Sequence, residues 1–558
     1  MLLIEASNIR KYFSDRLIIS IDNLKIYMED RIGIVGANGA GKTTFMNILS
    51  GRLKPDEGTV QLYGQHAYIT QLQEPETEPA GVQLDGQIAK ELGVSQAVGA
   101  FMSGGEKTRM KIARGLSEES VILFADEPTS NLDINAIGVL EKRLSEYRGA
   151  LLIVSHDRML LDKLCSRIFE VADGGIRVYN GNYSDYRRQK KAEEERQEFE
   201  YEEYVSKKSK LEAAVTEKNQ KAGSMKKTPS RMGNSEARLH KMGNQKAKAN
   251  LERTVKAIRS RIDKLEVKER LREMPKAVVD LREAGGITSK TALSVRGLSK
   301  RFGSRVLLDD VEFEIPKGKR TALIGDNGTG KTTLLGMIVE GSDGIRPAPG
   351  VKPGYFRQNL DNLREELSIL ENVMRDSIYP EGFARNILAG LLFRREEIYK
   401  KVKVLSGGER VRVCFAKLLV SDVNFIILDE PTNYLDLYSM EAVENALKEY
   451  NGTVLFVSHD RSFISSVAER ILLLENGKIT SFEGSYEEFT ESRQKASGQQ
   501  KDDAEQRTGE QLLLLENRMT ELLGRLSAPT RKDDVQLLDA EYKSLLAQLR
   551  ELKNKTGQ

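Results

Sequence analysis

The sequence predicts an α/β chain made of one folding unit built twice, with a long helical hairpin between the copies and a second helical hairpin behind them. Three observations carry this. Short motifs recur in one order: GIVGANGAGKTT at 33–44 and ALIGDNGTGKTT at 322–333, SGGE at 103–106 and 406–409, DEPTSNLD at 126–133 and DEPTNYLD at 429–436, VSHDR at 154–158 and 457–461. Self-similarity of this kind marks a duplicated domain. Between the copies, the stretch from Val205 to Arg301 holds no Phe, Tyr or Trp, too little to build a core of its own. In the tail, Leu512, Leu515, Met519, Leu522 and Leu526, then Leu538, Tyr542, Leu545, Leu549 and Leu552, step by three and four residues, the spacing of apolar helical stripes.

Composition bounds the function. A chain of 558 residues is too long for one core. No apolar run approaches the ~20 residues of a membrane helix. Met1 leads straight into a strand-like stretch with no signal-peptide pattern. Cys165 and Cys414 lie far apart in apolar surroundings and read as buried thiols of a reducing compartment. Four histidines leave no room for a multi-histidine metal centre. The net charge of +3 predicts no polyanion partner globally, but the local balance does.

The first unit spans 1–186. Gly36-Ala37-Asn38-Gly39-Ala40-Gly41-Lys42-Thr43 follows the apolar run Ile32–Val35 and precedes a helical pattern, Phe45–Leu49. That is the context of a phosphate-binding P-loop. Gly36, Gly39 and Gly41 let backbone N–H groups face phosphates, Lys42 reaches the β- and γ-phosphates, Thr43 holds Mg²⁺, and Asn38 and Thr44 belong to the same set. Gln71 follows Tyr68-Ile69-Thr70, where it couples Mg²⁺ or water to the next segment or is a plain surface glutamine. Ser103 and Gly105 open a helix whose N-terminus suits a phosphate, or else form a plain cap. The buried-strand run Val121–Ala125 ends in Asp126, a Mg²⁺ ligand through water, and Glu127, which polarises the attacking water. His156 follows an apolar strand and a serine and reads as a contact on the γ-phosphate side. Phe13 stacks on adenine or belongs to the core.

The second unit, 289–490, repeats the set. Gly325, Asn327, Gly328, Gly330, Lys331, Thr332 and Thr333 form its P-loop; Phe302, Gln358, Ser406, Gly408, Asp429, Glu430 and His459 take the matching roles, with Thr332, Gln358 and Asp429 for Mg²⁺.

The linker, 187–288, reads as two helices joined by a basic loop at about 213–246. Residues 187–220 carry nine basic and nine acidic side chains. Residues 221–261 carry twelve Lys/Arg against Glu236 and Glu252, a local net of +10. Gly223, Pro229, Gly233 and Gly243 place the loop here, and a helix is expected from Asn244 to Glu273, stopping near Pro275. A helix of about 34 residues carries that charge ~50 Å from the body. Such charge without aromatics suits phosphate backbones. Lys221, Lys226, Lys227, Arg231, Arg238, Lys241, Lys246 and Lys248 are the candidate phosphate-backbone contacts, in a stretch that also holds His240 and Met242. The tail, 491–558, reads as an antiparallel helical hairpin broken at Ser527–Pro529.

Together these motifs resemble the ABC ATPases, with P-loop, Q-loop, signature, Walker B, D-loop and H-loop in order, twice. The resemblance implies an α/β fold of two tandem P-loop ABC ATPase domains joined by a helical hairpin linker, plus the C-terminal hairpin. It implies head-to-tail pairing within one monomer, with ATP and Mg²⁺ between the domains. Lys42, Glu127 and His156 would then face Ser406 and Gly408, while Lys331, Glu430 and His459 face Ser103 and Gly105, and Asp133 and Asp436 are the D-loop residues. Two such domains without a membrane segment, joined by a charged linker, resemble the ABC-F subgroup. Its hallmark DEPTNHLD is altered to Ser130-Asn131 in the first copy and Tyr434 in the second, and Met102 stands where leucine is usual. These departures suggest unequal sites, the first less standard, but both lysines and both glutamates remain, so both sites are expected to bind ATP.

Only 61 residues separate Lys42 from Ser103, against 75 between Lys331 and Ser406, which leaves little room for the arm insertion of some housekeeping members. The basic loop, the tail hairpin and the stretches 15–44 and 404–424 resemble the antibiotic-resistance branch, the Vga/VmlR-type ribosome protection proteins of Gram-positive bacteria. That implies a cytoplasmic ATPase that binds the E site of the 70S ribosome, where the basic residues from Lys221 to Lys248 would contact 23S rRNA or P-site tRNA and move them, with steric intrusion of His240 or Met242 as the alternative route. It also implies displacement of lincosamides, pleuromutilins and streptogramin A from the peptidyl-transferase centre. A housekeeping factor that rescues stalled ribosomes is the alternative. A membrane-importer subunit has no need of this linker, and a DNA-repair ATPase usually carries zinc cysteines or very long coiled coils, absent here.

Overall fold

A computed structural model describes residues 1–70, 84–94, 104–223, 234–266, 286–357, 363–394, 396–527 and 535–556. Each unit is built on a parallel sheet whose strands are almost wholly apolar, as strands covered on both faces must be. In the first, the order is His66–Ile69, Ile122–Asp126, Ala150–Val154, Arg31–Val35, Arg167–Ala172, with Gly175–Asn180 antiparallel at the edge. In the second it is Pro353–Phe356, Phe425–Asp429, Thr453–Val457, Arg320–Ile324, Arg470–Glu475, Lys478–Glu483. The central strand of each sheet leads into its P-loop, and the neighbouring strands bring their carboxyl ends to the same edge. Ligands of open α/β sheets bind at that edge.

One cluster of buried apolar side chains runs through both units, from Leu140, Leu160 and Tyr186 to Leu437, Met440 and Phe463. The two units thus share a core, and their pairing is a packing event inside one chain. No helix among the described residues is long and apolar enough to cross a membrane.

The linker differs from the sequence expectation. Its first helix, Tyr183–Gly223, starts inside the first unit and runs 41 residues. The second is Asn234–Asp263, about ten residues ahead of the expected Asn244–Glu273. The expected loop at about 213–246 is therefore mostly helix. Gly243 sits within the second helix at a cost of about 1 kcal/mol, which a long helix absorbs; Gly233 and the other residues between the two helices, 224–233, lie outside the described residues. Pro229 and Pro275 lie outside the described residues. In the tail, Tyr486–Ser527 and Val535–Thr556 are helices linked by an Arg518–Glu541 ion pair at 3.3 Å, with Leu522 and Leu549 buried.

Candidate nucleotide sites

Each P-loop turns on glycines that a side chain could not replace. Gly36 has φ 154° and a Cβ there would meet Val171 O at 2.5 Å; Gly325 has the same φ and would meet Leu474 O at 2.4 Å. The loops end in the helices Lys42–Leu49 and Lys331–Glu340. Lys42 Nζ donates to the carbonyls of Gly36 (2.9 Å) and Ala37 (3.1 Å); Lys331 Nζ donates to those of Gly325 (2.8 Å) and Asp326 (2.9 Å). Both ammonium groups are buried, which lowers their pKa against the pull of Glu127 or Glu430.

Glu127 and Glu430 follow the Walker B strands with φ 49° each, a left-handed conformation that non-glycine residues adopt only when the surroundings impose it. The backbone N–H of Glu127 donates to Val154 O (2.9 Å) and that of Glu430 to Val457 O (3.0 Å). The twist aims each carboxylate at its histidine: Glu127 Oε1 lies 3.3 Å from His156 Nε2, and Glu430 Oε1 lies 3.5 Å from His459 Nε2. Burial raises Glu127 to about 8 and Glu430 to about 7, although the neighbouring lysines oppose it. Burial, reinforced by those lysines, lowers both histidines to about 3, so both are neutral. A carboxyl poised near neutral pH is well matched to taking a proton.

Thr332 Oγ1 donates to Asp429 Oδ1 at 3.3 Å beside Lys331. A hydroxyl and a carboxylate converging there form a hard-oxygen donor pair that fits Mg²⁺. Thr43 and Asp126 occupy the matching places of the first copy, and Asp126 and Asp429 are each 2% exposed. Gln71, Gln358 and Ser103 lie outside the described residues.

The two units meet head to tail. Asp436 Oδ2 accepts from Asn38 N (2.9 Å), and Asn38 Nδ2 donates to Tyr434 O (2.8 Å). The mirror contacts are Asn327 N to Asp133 Oδ2 (3.4 Å) and Asn327 Nδ2 to Asn131 O (3.0 Å). Each P-loop asparagine therefore holds the other unit's D-loop. Asp133 and Asp436 also cap the helices behind them, accepting from Ala136 N and Ser439 N. Asn131 and Tyr434, where this chain departs from the usual motif, are left-handed (φ 62° and 68°). The signature glycines pack against the same junctions: a Cβ on Gly408 would meet Tyr434 O at 2.6 Å, and one on Gly105 would meet Asn131 O at 2.9 Å. Ser406 forms a capping box with Glu409, so its hydrogen bonds are those of a helix cap. Phe13 and Phe302, 53% and 57% exposed at the ends of their strands, are not core residues.

Several interface residues escaped the sequence reading. Arg158 pairs with Glu444 across the interface (2.8 Å), and Arg461 pairs with Glu141 (2.8 Å) and Asp157 (3.2 Å). The signal was present: Arg158 and Arg461 close the two VSHDR copies, and Glu141 and Glu444 stand at matching repeat positions. Of the linker candidates, Lys221 ends the first helix and pairs with Glu217. Lys226, Lys227 and Arg231 lie outside the described residues. Arg238, His240, Lys241, Lys246 and Lys248 belong to the second helix.

Comparison with known proteins agrees with this geometry. A family model described as ABC transporter matches residues 20–94 and 308–433, and a further ABC transporter model matches 169–250. The erythromycin resistance ATP-binding protein MsrA of Staphylococcus epidermidis is 36% identical over 84% of this chain and 96% of its own length. The putative ATP-binding protein YdiF of Bacillus subtilis is 31% identical over 88% of this chain and 83% of its own. The ribosome protection protein VmlR of Bacillus subtilis is 29% identical over 99% of this chain and 98% of its own. Among solved structures, an RNase-L inhibitor superposes with a TM-score of 0.56 at 20% identity, covering 87% of this chain and 91% of that one, a likeness of fold.

Proposed function

The chain belongs to the ABC-F family of ATPases, in its antibiotic-resistance branch, and from that premise we propose that it is an ATP-gated ribosome-binding protein that protects translation from drugs. The observation that carries the reading is the reciprocal hold of each P-loop on the opposite D-loop, beside a 41-residue helix leading away from the body. Closing the units completes each site with residues of the other unit, so a nucleotide that prefers the closed state drives closure at its own site. Opening after hydrolysis then releases the protein.

The chain's own groups divide the work. Lys42 and Lys331 exchange their P-loop carbonyls for phosphate oxygens. Glu127 and Glu430 accept a proton from the attacking water, and neutral His156 and His459 stand beside those carboxylates. Gly105 and Gly408 let the opposite P-loop approach closely, and Phe13 and Phe302 offer faces for adenine. Thr43 with Asp126, and Thr332 with Asp429, would hold Mg²⁺, joined by Gln71 and Gln358; the ion supplies charge neutralisation at the phosphates.

In this reading the protein works in the cytoplasm, in the E site of the 70S ribosome. The basic residues from Lys221 to Lys248 contact 23S rRNA and P-site tRNA. With no aromatic residue at the tip, displacement of a drug acts through shifted tRNA or rRNA bases. Lincosamides, pleuromutilins and streptogramin A are the expected drugs, and the name of the staphylococcal relative adds erythromycin to those worth testing.

The test is growth inhibition by lincomycin, tiamulin, virginiamycin M and erythromycin in a susceptible Gram-positive host. Tolerance conferred by the wild type and lost in Glu127→Gln/Glu430→Gln supports the proposal. The second reading, a housekeeping factor for stalled ribosomes, uses the same paired ATPase units and linker. Ribosome pelleting without tolerance to any of the drugs would select that reading, and absence from ribosomes would sink both.

A further inference from the structure

Glu170 is a charged residue inside a sheet. It lies on the strand Arg167–Ala172, register-paired with Val35, the residue before the first P-loop. It is 2% exposed. Three donors converge on its carboxylate, Tyr438 Oη (2.8 Å), Lys190 Nζ (2.9 Å) and Tyr186 Oη (3.0 Å), and Tyr179 Oη stands 3.3 Å away with its single proton divided between Glu170 and the nearer Glu193 Oε2 at 3.0 Å. Burial alone would raise its pKa, but Lys190 and the tyrosine hydroxyls hold it below the usual value. The hydroxyls of Tyr186 and Tyr438 are themselves 3.0 Å apart.

These groups come from three places, of which the first unit's edge strand Gly175–Asn180 supplies Tyr179. Tyr186 and Lys190 belong to the base of the linker helix. Tyr438 is in the first turn of the helix Leu437–Glu449, whose cap, Asp436, holds Asn38 of the first P-loop. Arg187 of the linker helix adds an ion pair to Glu441, 2.7 Å away on that same helix. A buried carboxylate is tolerated only while its hydrogen bonds are made. The full set exists only when linker base, first unit and second unit are seated together.

Among the described residues, the other half of the molecule has no such network. The repeat places Leu473, Phe489, Asn135 and Thr490 where Glu170, Tyr186, Tyr438 and Arg187 stand. Asn135 instead donates to Asp326 of the second P-loop at 2.6 Å. A cleft of about 340 Å³ opens there, lined by Ile134, Leu473, Phe489 and Arg493 among others.

We infer that Glu170, Tyr186 and Tyr438 are positioning residues that couple closure at the first P-loop, and not at the second, to the direction of the linker helix. This deepens the ATP-gated reading and rests on it for its purpose. The test therefore leaves the ribosome out. Spin labels go on Ser209→Cys in the linker helix and Lys448→Cys in the second unit, both exposed positions, while Cys165 and Cys414 are buried. Distances are measured in the full chain with ATP, trapped by Glu127→Gln or by Glu430→Gln alone, with ATP occupancy of each site followed separately.

The Glu127→Gln trap is expected to give one narrow distance peak and the Glu430→Gln trap a broad one. Tyr438→Phe, and separately Tyr186→Phe, should broaden the Glu127→Gln peak with ATP still bound. Phe489→Leu, on the opposite side, should leave it narrow. Glu170→Gln is the stronger lesion, and each tyrosine variant removes one hydroxyl only, so a folded variant is at hand. Equal peaks in the two traps, or a peak indifferent to both tyrosine variants, would overturn the inference. Failure to pellet with ribosomes would instead count against the function proposed above.

Discussion

Arg158→Met is expected to weaken the pairing of the two ATPase units by about 3 kcal/mol. Arg158 reaches Glu444 through two bonds, Nη2 to Oε1 at 2.8 Å and Nη1 to Oε2 at 3.3 Å, and the side chains are 16% and 6% exposed. Removing one partner of a buried pair strands the other charge and costs about 3–5 kcal/mol. The lower end applies, because Ser466 Oγ still donates to Glu444 Oε2 at 2.9 Å. At ~1.4 kcal/mol per decade, that is roughly a hundredfold in the closure constant. The assay is the ATP concentration that closes the units in a Glu127→Gln/Glu430→Gln background, read by energy transfer between dyes on the two units. Arg158→Met/Glu444→Leu should recover to within about tenfold of the parent, since replacing both partners of a buried pair by apolar groups is often near neutral. A single variant that closes like its parent, or a double variant no better than the single, refutes the reasoning.

Other outcomes follow from the same geometry. Gly408→Ala should cost more ATPase activity than Gly105→Ala, because its new methyl meets a backbone carbonyl at 2.6 Å rather than 2.9 Å; steady-state turnover of the two variants decides. Burial and the neighbouring Asp157 raise Asp460 to about 7. A carboxyl raised on folding contributes stability that is present at low pH and lost as pH rises through about 7. Asp460→Asn, which can still cap its helix at Phe463 N, should therefore gain melting temperature over wild type above that pH and not below pH 4. A gain independent of pH would contradict this. Asn38→Ala and Asn327→Ala should each weaken ATP-driven closure by more than they weaken ATP binding to the open units, as titration with labelled ATP against the closure signal will show.

The sequence made the local chemistry legible. A glycine-spaced loop after an apolar run encodes its own turn, and its duplication removed chance as an explanation. The Walker B carboxylates, the histidines and the tail hairpin were readable for the same reason, since each depends on spacing within a few residues. The linker was less legible. A lone glycine such as Gly243 is a weak signal, and a long helix carried through it.

Between distant residues the sequence was silent. Asn38 and Asp436, Arg158 and Glu444, or Glu170 and Tyr438 are brought together by rigid-body pairing of two folded units. No local pattern encodes that placement. The two copies also carry near-identical motifs yet differ in what surrounds them. The sequence by itself pointed to two ATPase units with matching motifs, the first set less standard than the second. Only the tertiary structure decided that the first is wired through a buried carboxylate to the linker while the second faces an open cleft, because a contact exists only where packing brings its partners within reach.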